Sequence, residues 1–341
     1  MQLPDISRCN VVRFLFFSGA AFIAGCTSFD HLTKAPTAGE SGPRASECAS
    51  CHVQQYREWQ VTAHAKASTN TAFQEAAGNP PAEECLQCHS TLSSQDTVLH
   101  ARSFNREEGV TCVSCHLVDG KMHGPHPSTA LVSPHPIIED KVTYTVPTFC
   151  APCHGETHEQ WQKATANQPR PTCQECHQSV VQRTASQGTN LFSDLLVAFE
   201  KTLPSQSHDI RLEKMAFFPE IVELTFSPTF SGSAQNILKV TVHNNLPHDL
   251  PTGTYGSKEI RLLLVADREE DRSLNGQGLM LANAAQTMVP CAQKNIEISI
   301  PKAYRARPLH LQLVRTSPDD PVRKPIILAS FPVPSAQEAK P

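Results

Sequence analysis

Apolar and polar positions alternate with a period of two in only one part of this chain. Beyond about residue 205, "EIVELTF" (220–226), "NILKVTVHN" (236–244), "EIRLLLVAD" (259–267), "NIEISI" (295–300), "LHLQLVR" (309–315) and "PIILASF" (325–331) are short β-prone runs separated by turn residues. Their regular spacing predicts an all-β antiparallel sandwich over 205–341. In the second run Leu238, Val240 and Val242 share one face, which leaves Lys239, Thr241 and His243 on the other. His310 alternates in the same way with Leu309 and Leu311, so His243 and His310 read as solvated strand histidines. Residues 46–204 show little periodicity and many loop residues, as in "HGPHPSTALVSPHP" (123–136). That region reads as mostly irregular with short helices. "LFSDLLVAFEK" (191–201) reads as a helix connecting it to the β-region.

The first 45 residues form neither pattern. Arg8 and Arg13 precede "FLFFSGAAFIAG" (14–25), a short apolar run expected to be an export signal rather than a membrane span. It ends in Ile23-Ala24-Gly25-Cys26, which resembles the lipobox of bacterial lipoproteins. That resemblance implies cleavage after residue 25 and diacylation of Cys26, and Thr27 in place of Asp implies an outer-membrane destination. Residues 26–45 are polar and rich in Gly, Pro, Ser and Thr, a flexible tether that carries His31.

Composition changes the picture through cysteine. The chain has 341 residues, 13 Cys and 16 His, and ten of the cysteines fall into five copies of Cys-x-x-Cys-His. The copies are Cys48 and Cys51 with His52, Cys85 and Cys88 with His89, Cys112 and Cys115 with His116, Cys150 and Cys153 with His154, and Cys173 and Cys176 with His177. Chance predicts on the order of 0.02 copies of this haem-attachment pattern. A single copy would be compatible with a redox dithiol or half a zinc site, but five in series in an exported chain are not. Two thiols spaced this way attach to one porphyrin edge, and the adjacent imidazole ligates iron. Five haem c groups also supply the apolar surface that residues 46–204 lack, so they would form the core there. Cys291 stands outside the motifs and reads as a small buried hydrophobe.

Each iron then needs a sixth ligand or an open face. Methionine does not recur in register with the motifs, and eleven histidines remain beyond the proximal five, so bis-histidine ligation of most haems is expected. His158 lies one helical turn after His154 and would point the same way, so it cannot close that haem. His64 lies 12 residues beyond His52. That is roughly 18 Å along a helix, so His64 would serve a different haem. The chain's two tryptophans, Trp59 and Trp161, follow the first and fourth motifs at matching distances, a faint internal repeat. They would either stack on porphyrin or pack their helices.

With these residues in view, the chain resembles multihaem c-type cytochromes of the cytochrome c-554 type that carry a C-terminal β-domain. "CASCHVQQYREWQVTAHAKAS" (48–68), "EGVTCVSCH" (108–116) and "CQECH" (173–177) carry the resemblance. It implies distal-ligand roles for His64, for His135 in "SPHPI" and for His208 in "SQSHDI". It also implies that His248 reaches back from the β-domain to a haem, since Asn245 and Pro251-Thr252-Gly253 fit the related pattern, with Pro247 in place of the usual Gly. For the fifth distal position His123 is preferred over His126 and His100. No motif ends in Cys-Lys, the mark of the catalytic haem in pentahaem nitrite reductases.

The formal charge is −4, and removing Asp5, Arg8 and Arg13 with the signal takes it to −5, which argues against a nucleic-acid partner. The expected function is an outer-membrane-anchored pentahaem cytochrome that relays electrons between redox partner proteins, on the periplasmic or cell-surface side, in an electron-conduit complex. The alternative is reduction of a small nitrogen or sulfur oxyanion at one five-coordinate haem.

Overall fold

A computed structural model of the chain describes residues 43–129, 135–189, 194–195, 197–214, 222–229, 236–253, 256–266, 273–304, 307–318 and 324–333. The lipobox and Cys26 and most of the tether with His31 lie outside these residues, as do 191–193 and 196 of the expected connecting helix; of its other residues Asp194, Leu195 and Val197 are helical, whereas 198–201 form a turn and irregular chain.

The first region is built from short helices, several of which carry the motifs. They are α1 (Ala45–Cys48), α2 (Val53–Trp59), α3 (Thr71–Ala77), α4 (Glu83–His89), α5 (Cys112–His116), α6 (Gly155–Thr165) and α7 (Cys173–His177). Helices of one or two turns do not persist on propensity alone, and here caps help to define them. The Asn70 side chain accepts from the Phe73 amide at the start of α3, and Thr111 and Thr172 form capping boxes at the starts of α5 and α7. Small ladders link the loops: β1 (Leu117–Val118), β2 (Lys121–Gly124) and β3 (Ile137–Glu139) form one sheet, and β4 (Val180–Arg183) pairs antiparallel with β5 (Leu203–Gln206). The β4–β5 ladder spans the boundary expected at 204/205, so residues just beyond β5 stay with the haem-motif region.

The second region contains β6 (Val222–Thr229), β7 (Asn236–Asn244), β8 (Glu259–Ala266), β9 (Leu279–Asn283), β10 (Gln293–Ile300), β11 (Leu309–Thr316) and β12 (Ile326–Val333). They form two antiparallel sheets, in the orders β10-β7-β6 and β12-β11-β8-β9. Leu238, Val240 and Val242 from one sheet and Leu262, Leu264, Leu311 and Leu313 from the other belong to a single buried cluster. The all-β sandwich read from the alternating runs is therefore present, with each of the six runs on a strand. β9 is the strand that alternation misses: its buried positions, Leu281 and Ala282, are adjacent, where β-bulge pairing to β8 breaks the period. Cys291 is exposed rather than buried. It sits at φ 64 in a tight turn before β10, its amide donating to the Asn244 carbonyl, and this turn holds it at the surface.

Candidate functional site

The cysteine motifs fall where the polypeptide turns tightly, and several of their thiols meet across motifs. Cys48 lies in hydrogen-bonding reach of Cys112, Cys88 of Cys153, and Cys150 of Cys173. The first motif therefore adjoins the third, the second the fourth, and the fourth the fifth.

Cys51 is half-buried, and its thiol accepts from the neighbouring Ser50 hydroxyl at 3.9 Å. The Cys51 amide donates to the Cys48 carbonyl at 3.2 Å, and the Cys51 carbonyl accepts from the Gln187 amide at 2.7 Å, so the turn after α1 is tied to a different segment from the one that Cys48 meets. The two sulfurs of the first motif thus have different neighbours. Cys115 and Cys176 stand outside the cross-motif contacts: burial pushes the Cys115 thiol up to about 11, with Ser94 opposing, and burial raises Cys176. Cys85, at the start of the second motif, is half-buried.

Both tryptophans join motifs as well. The Trp59 indole donates to the Val110 carbonyl at 2.8 Å, and Trp161 to Pro171 at 2.9 Å. Val110 and Pro171 each precede the first cysteine of a motif by two residues. Each indole thus hooks the helix after one motif to the strap before its neighbour, and the internal repeat is a repeated way of joining two motifs.

Four motif histidines each pair with a histidine that lies outside the motifs. His52 meets His135 with ring centroids 6.2 Å apart, His64 meets His154 at 6.1 Å, His116 meets His208 at 6.2 Å, and His177 meets His248 at 6.5 Å. Two imidazoles on opposite sides of one metal, with metal–nitrogen bonds of about 2.0 Å, would put their centroids about 6.3 Å apart. The four pairs have this separation, so the side chains fit an iron between each two rings. Burial lowers the pKa of His64 to about 4, with a smaller contribution from His154, and that of His177 to about 4, with His248 adding to burial. His208 falls to about 3, from burial first and then from the nearby His116 and Arg183. Burial also lowers His116, His135, His154 and His248. Neutral imidazole is the form that ligates metal.

The second nitrogen of several of these rings is held by the backbone. Nδ1 lies 2.8 Å from the Ala185 carbonyl in His52, 2.8 Å from Ala67 in His89, 2.8 Å from His123 in His116 and 2.9 Å from Asp249 in His248. A carbonyl there fixes the tautomer with Nε2 free to bind metal.

Residues that carry no motif set His64 and His248 in place. Gly109, at φ 66, lies so close to His64 that any Cβ would collide with the His64 carbonyl, and the Val110 amide donates to that carbonyl at 2.9 Å. Gln160, on α6, accepts from the Asp249 amide at 3.1 Å and from the Thr252 hydroxyl at 2.7 Å, while Thr157 and Thr252 hydroxyls meet at 2.9 Å. Asn244 donates to the His248 and Met288 carbonyls, fixing the loop's other end to the sheet. These contacts hold the His248 loop between α6 and the sheet. Sequence offered no signal for Gln160, an ordinary polar helix position, and little for Gly109 beyond its being a glycine.

His89 differs from the other four motif histidines. Its ring stacks on Phe73 at 4.1 Å and 20°, and no histidine ring joins it among the described residues. Of the three candidates for that position, His123 has its ring Nδ1 buried with no hydrogen-bond partner among the described residues. The His123 carbonyl accepts from His116 and from the Tyr144 hydroxyl, His126 Nε2 lies 2.8 Å from the Pro204 carbonyl, and His100 is exposed. His158 stacks on Trp161 within α6, in line with its exclusion as a ligand to the haem of its own motif. His243 and His310 alternate with core-facing neighbours as predicted, but both are half-buried rather than fully solvated.

Comparison with known proteins follows the same line. A model of the family "Cytochrome c554 and c-prime" matches residues 47–117, which hold the first three motifs. No curated protein sequence matches significantly. Among solved structures, a penta-heme cytochrome c552 from Thermochromatium tepidum has the same fold at a TM-score of 0.54 and 15% identity, the match covering 85% of this chain and 99% of that one. The motifs, the family match and the shared fold support a multihaem c-type cytochrome.

Proposed function

We propose that the protein is a pentahaem electron-transfer cytochrome in which four haems are ligated by His52/His135, His64/His154, His116/His208 and His177/His248. The observation that carries this reading is the separation of 6.1 to 6.5 Å in four histidine pairs, each joining a motif to a distant residue. A haem at each motif supplies one-electron chemistry; the chain spaces the groups, excludes water and sets their potentials. The cross-motif thiol contacts favour an order in which the first motif hands to the third, while the fourth adjoins both the second and the fifth. Low-temperature electron paramagnetic resonance of the oxidised holoprotein tests the ligation. Four low-spin haems are expected, and a majority of high-spin haems would overturn it.

A second reading is favoured by His89 specifically. With Phe73 beside its ring and no second histidine among the described residues, a haem at Cys85 and Cys88 would keep one axial face for a small exogenous ligand. This supports reduction of a small nitrogen or sulfur oxyanion there, fed by the other four haems. One high-spin signal that shifts on adding nitrite or sulfite is expected. Five low-spin signals would leave only the carrier.

We also read the chain as a lipoprotein anchored through Cys26 at the outer membrane, with redox proteins as partners. Incorporation of labelled palmitate that is lost in Cys26→Ala tests the anchor.

A further inference from the structure

His208 differs from other motif-paired histidines in what faces its Nδ1. Beside His52, His89, His116 and His248 that nitrogen meets a backbone carbonyl, but at His208, whose ring is also hydrogen-bonded to the Gln206 carbonyl, it lies 3.2 Å from Nη2 of the Arg183 guanidinium. Arg183 is buried at the end of β4, and its Nη1 lies 2.9 Å from both oxygens of Glu58, on α2. Its Nη2 also donates to the Gln206 carbonyl at 2.8 Å, and the same Glu58 carboxylate accepts from the His208 amide at 2.7 Å. An ion pair drawn from two distant segments therefore encloses one histidine, with the cation on the ring and the anion on the backbone.

An ion pair out of water is maintained at a desolvation cost and adds little net stability, so stability alone does not account for it. Its placement suggests an electrical role. Arginine only donates. An imidazole that binds iron through Nε2 carries its proton on Nδ1 and needs an acceptor there, which the Gln206 carbonyl supplies, so the guanidinium acts on this haem through its charge rather than as a donor to the ring. Ferric haem carries one more positive charge than ferrous, so a nearby cation favours the reduced state and a nearby anion the oxidised state.

We propose that the Glu58–Arg183 pair sets the reduction potential of the haem held by His116 and His208, its two halves acting in opposite directions. The guanidinium, in contact with the ring, makes this haem more readily reduced than its three bis-histidine neighbours. The proposal rests on His208 being the distal ligand of that haem. Because the third motif adjoins the first through Cys48 and Cys112, the tuned haem would draw electrons forward from the first.

The test is potentiometric titration of the purified holoprotein with its variants. In Glu58→Gln one of the five midpoint potentials should move positive, and in Arg183→Gln the same one should move negative. In the double variant, where a neutral pair replaces the ions, it should return toward the wild-type value. Arg183→Lys should hold the potential nearer to wild type than Arg183→Gln does. Shifts of the same sign in both single variants, or none, overturn the proposal. If Arg183→Gln fails to accumulate as holoprotein, Glu58→Gln decides alone, because a potential that stays or moves negative there is equally fatal. His208→Ala separates the underlying ligation. If it leaves the number of low-spin haems unchanged, the ligand assignment is wrong. If it converts one haem to high spin while Glu58→Gln moves no potential, the ligation stands and the tuning is wrong.

Discussion

Arg102 and Leu262 are both fully buried, one in each half of the molecule, and they are enclosed by opposite kinds of atoms. Leu262 sits among Leu264, Leu311, Leu313 and the inward residues of β7, so the β-sandwich closes on hydrocarbon. Arg102 instead donates to the hydroxyls of Thr111, Ser114 and Ser90 and to the carbonyls of Phe104, Asn105 and Gly109. Its pKa is lowered to about 10, by burial first, with Glu108 and Glu107 opposing. The described residues of the haem-motif half thus form no large apolar cluster of their own, and a guanidinium gathers loops that side-chain packing would otherwise hold. The difference teaches where each half's cohesion comes from: water exclusion between sheets in one, and polar hubs with covalently held cofactors in the other.

Replacing Arg102 should break this comparison most severely. Arg102→Met removes the cation and leaves the buried Gly109 carbonyl and the half-buried Phe104 carbonyl without this donor, each costing about 1–3 kcal/mol, for a loss on the order of 4 kcal/mol. Gly109 is among those carbonyls and abuts His64. Haem absorbance followed through urea denaturation should show the loss, accompanied by a changed spectrum for the haem paired to His64. A loss below about 1 kcal/mol would mean that the haems alone hold this half together.

The converse change lies in the sandwich. Leu262→Ala should cost about 3 kcal/mol through lost burial and a residual cavity, read by far-UV circular dichroism. Of the four histidine pairs, His177/His248 alone should respond, because His248 is the one distal residue that the sandwich supplies.

How much of this was legible beforehand follows the same division. The strands could be read because two-residue alternation is a local signal: Leu238, Val240 and Val242 are buried where the pattern put them. The haem motifs and their proximal histidines are local signals too. The joining of motifs was not legible, since nothing near Trp59 or Trp161 says which carbonyl each indole will reach, and nothing in the first motif says that Cys48 will meet another motif's thiol. Arg183 reads as an ordinary β-strand cation, and its role appears only when β4 and α2 are brought together. His248 could be singled out from a loop with two prolines, but Gln160, which clamps that loop, could not.

A smaller effect is expected where the halves meet. Gln160→Leu deletes the acceptor for the Asp249 amide and the Thr252 hydroxyl, worth about 1–2 kcal/mol. Because both bonds end on the loop of His248, the loss should surface as partial conversion of one haem to a form that binds carbon monoxide when reduced. A stability loss with no carbon monoxide binding would mean that the sandwich positions His248 without help from α6.

The smallest effects should be equal in the two halves, and this sharpens the comparison most. Lys239–Glu297, at 3.5 Å, crosses two strands of the sandwich, and Glu83–Arg106, at 2.9 Å, links a helix to a loop in the haem-motif half. All four side chains are at least 40% exposed. Water screens such pairs whatever lies beneath them, and ordering long side chains offsets most of the attraction. Glu297→Gln and Glu83→Gln should therefore each shift stability by less than about 0.5 kcal/mol, and by less still at raised salt. If Glu83→Gln costs several times more than Glu297→Gln, the polar hub around Arg102 extends to the surface through Arg106, and the haem-motif half is held by a charge network rather than by buried donors alone.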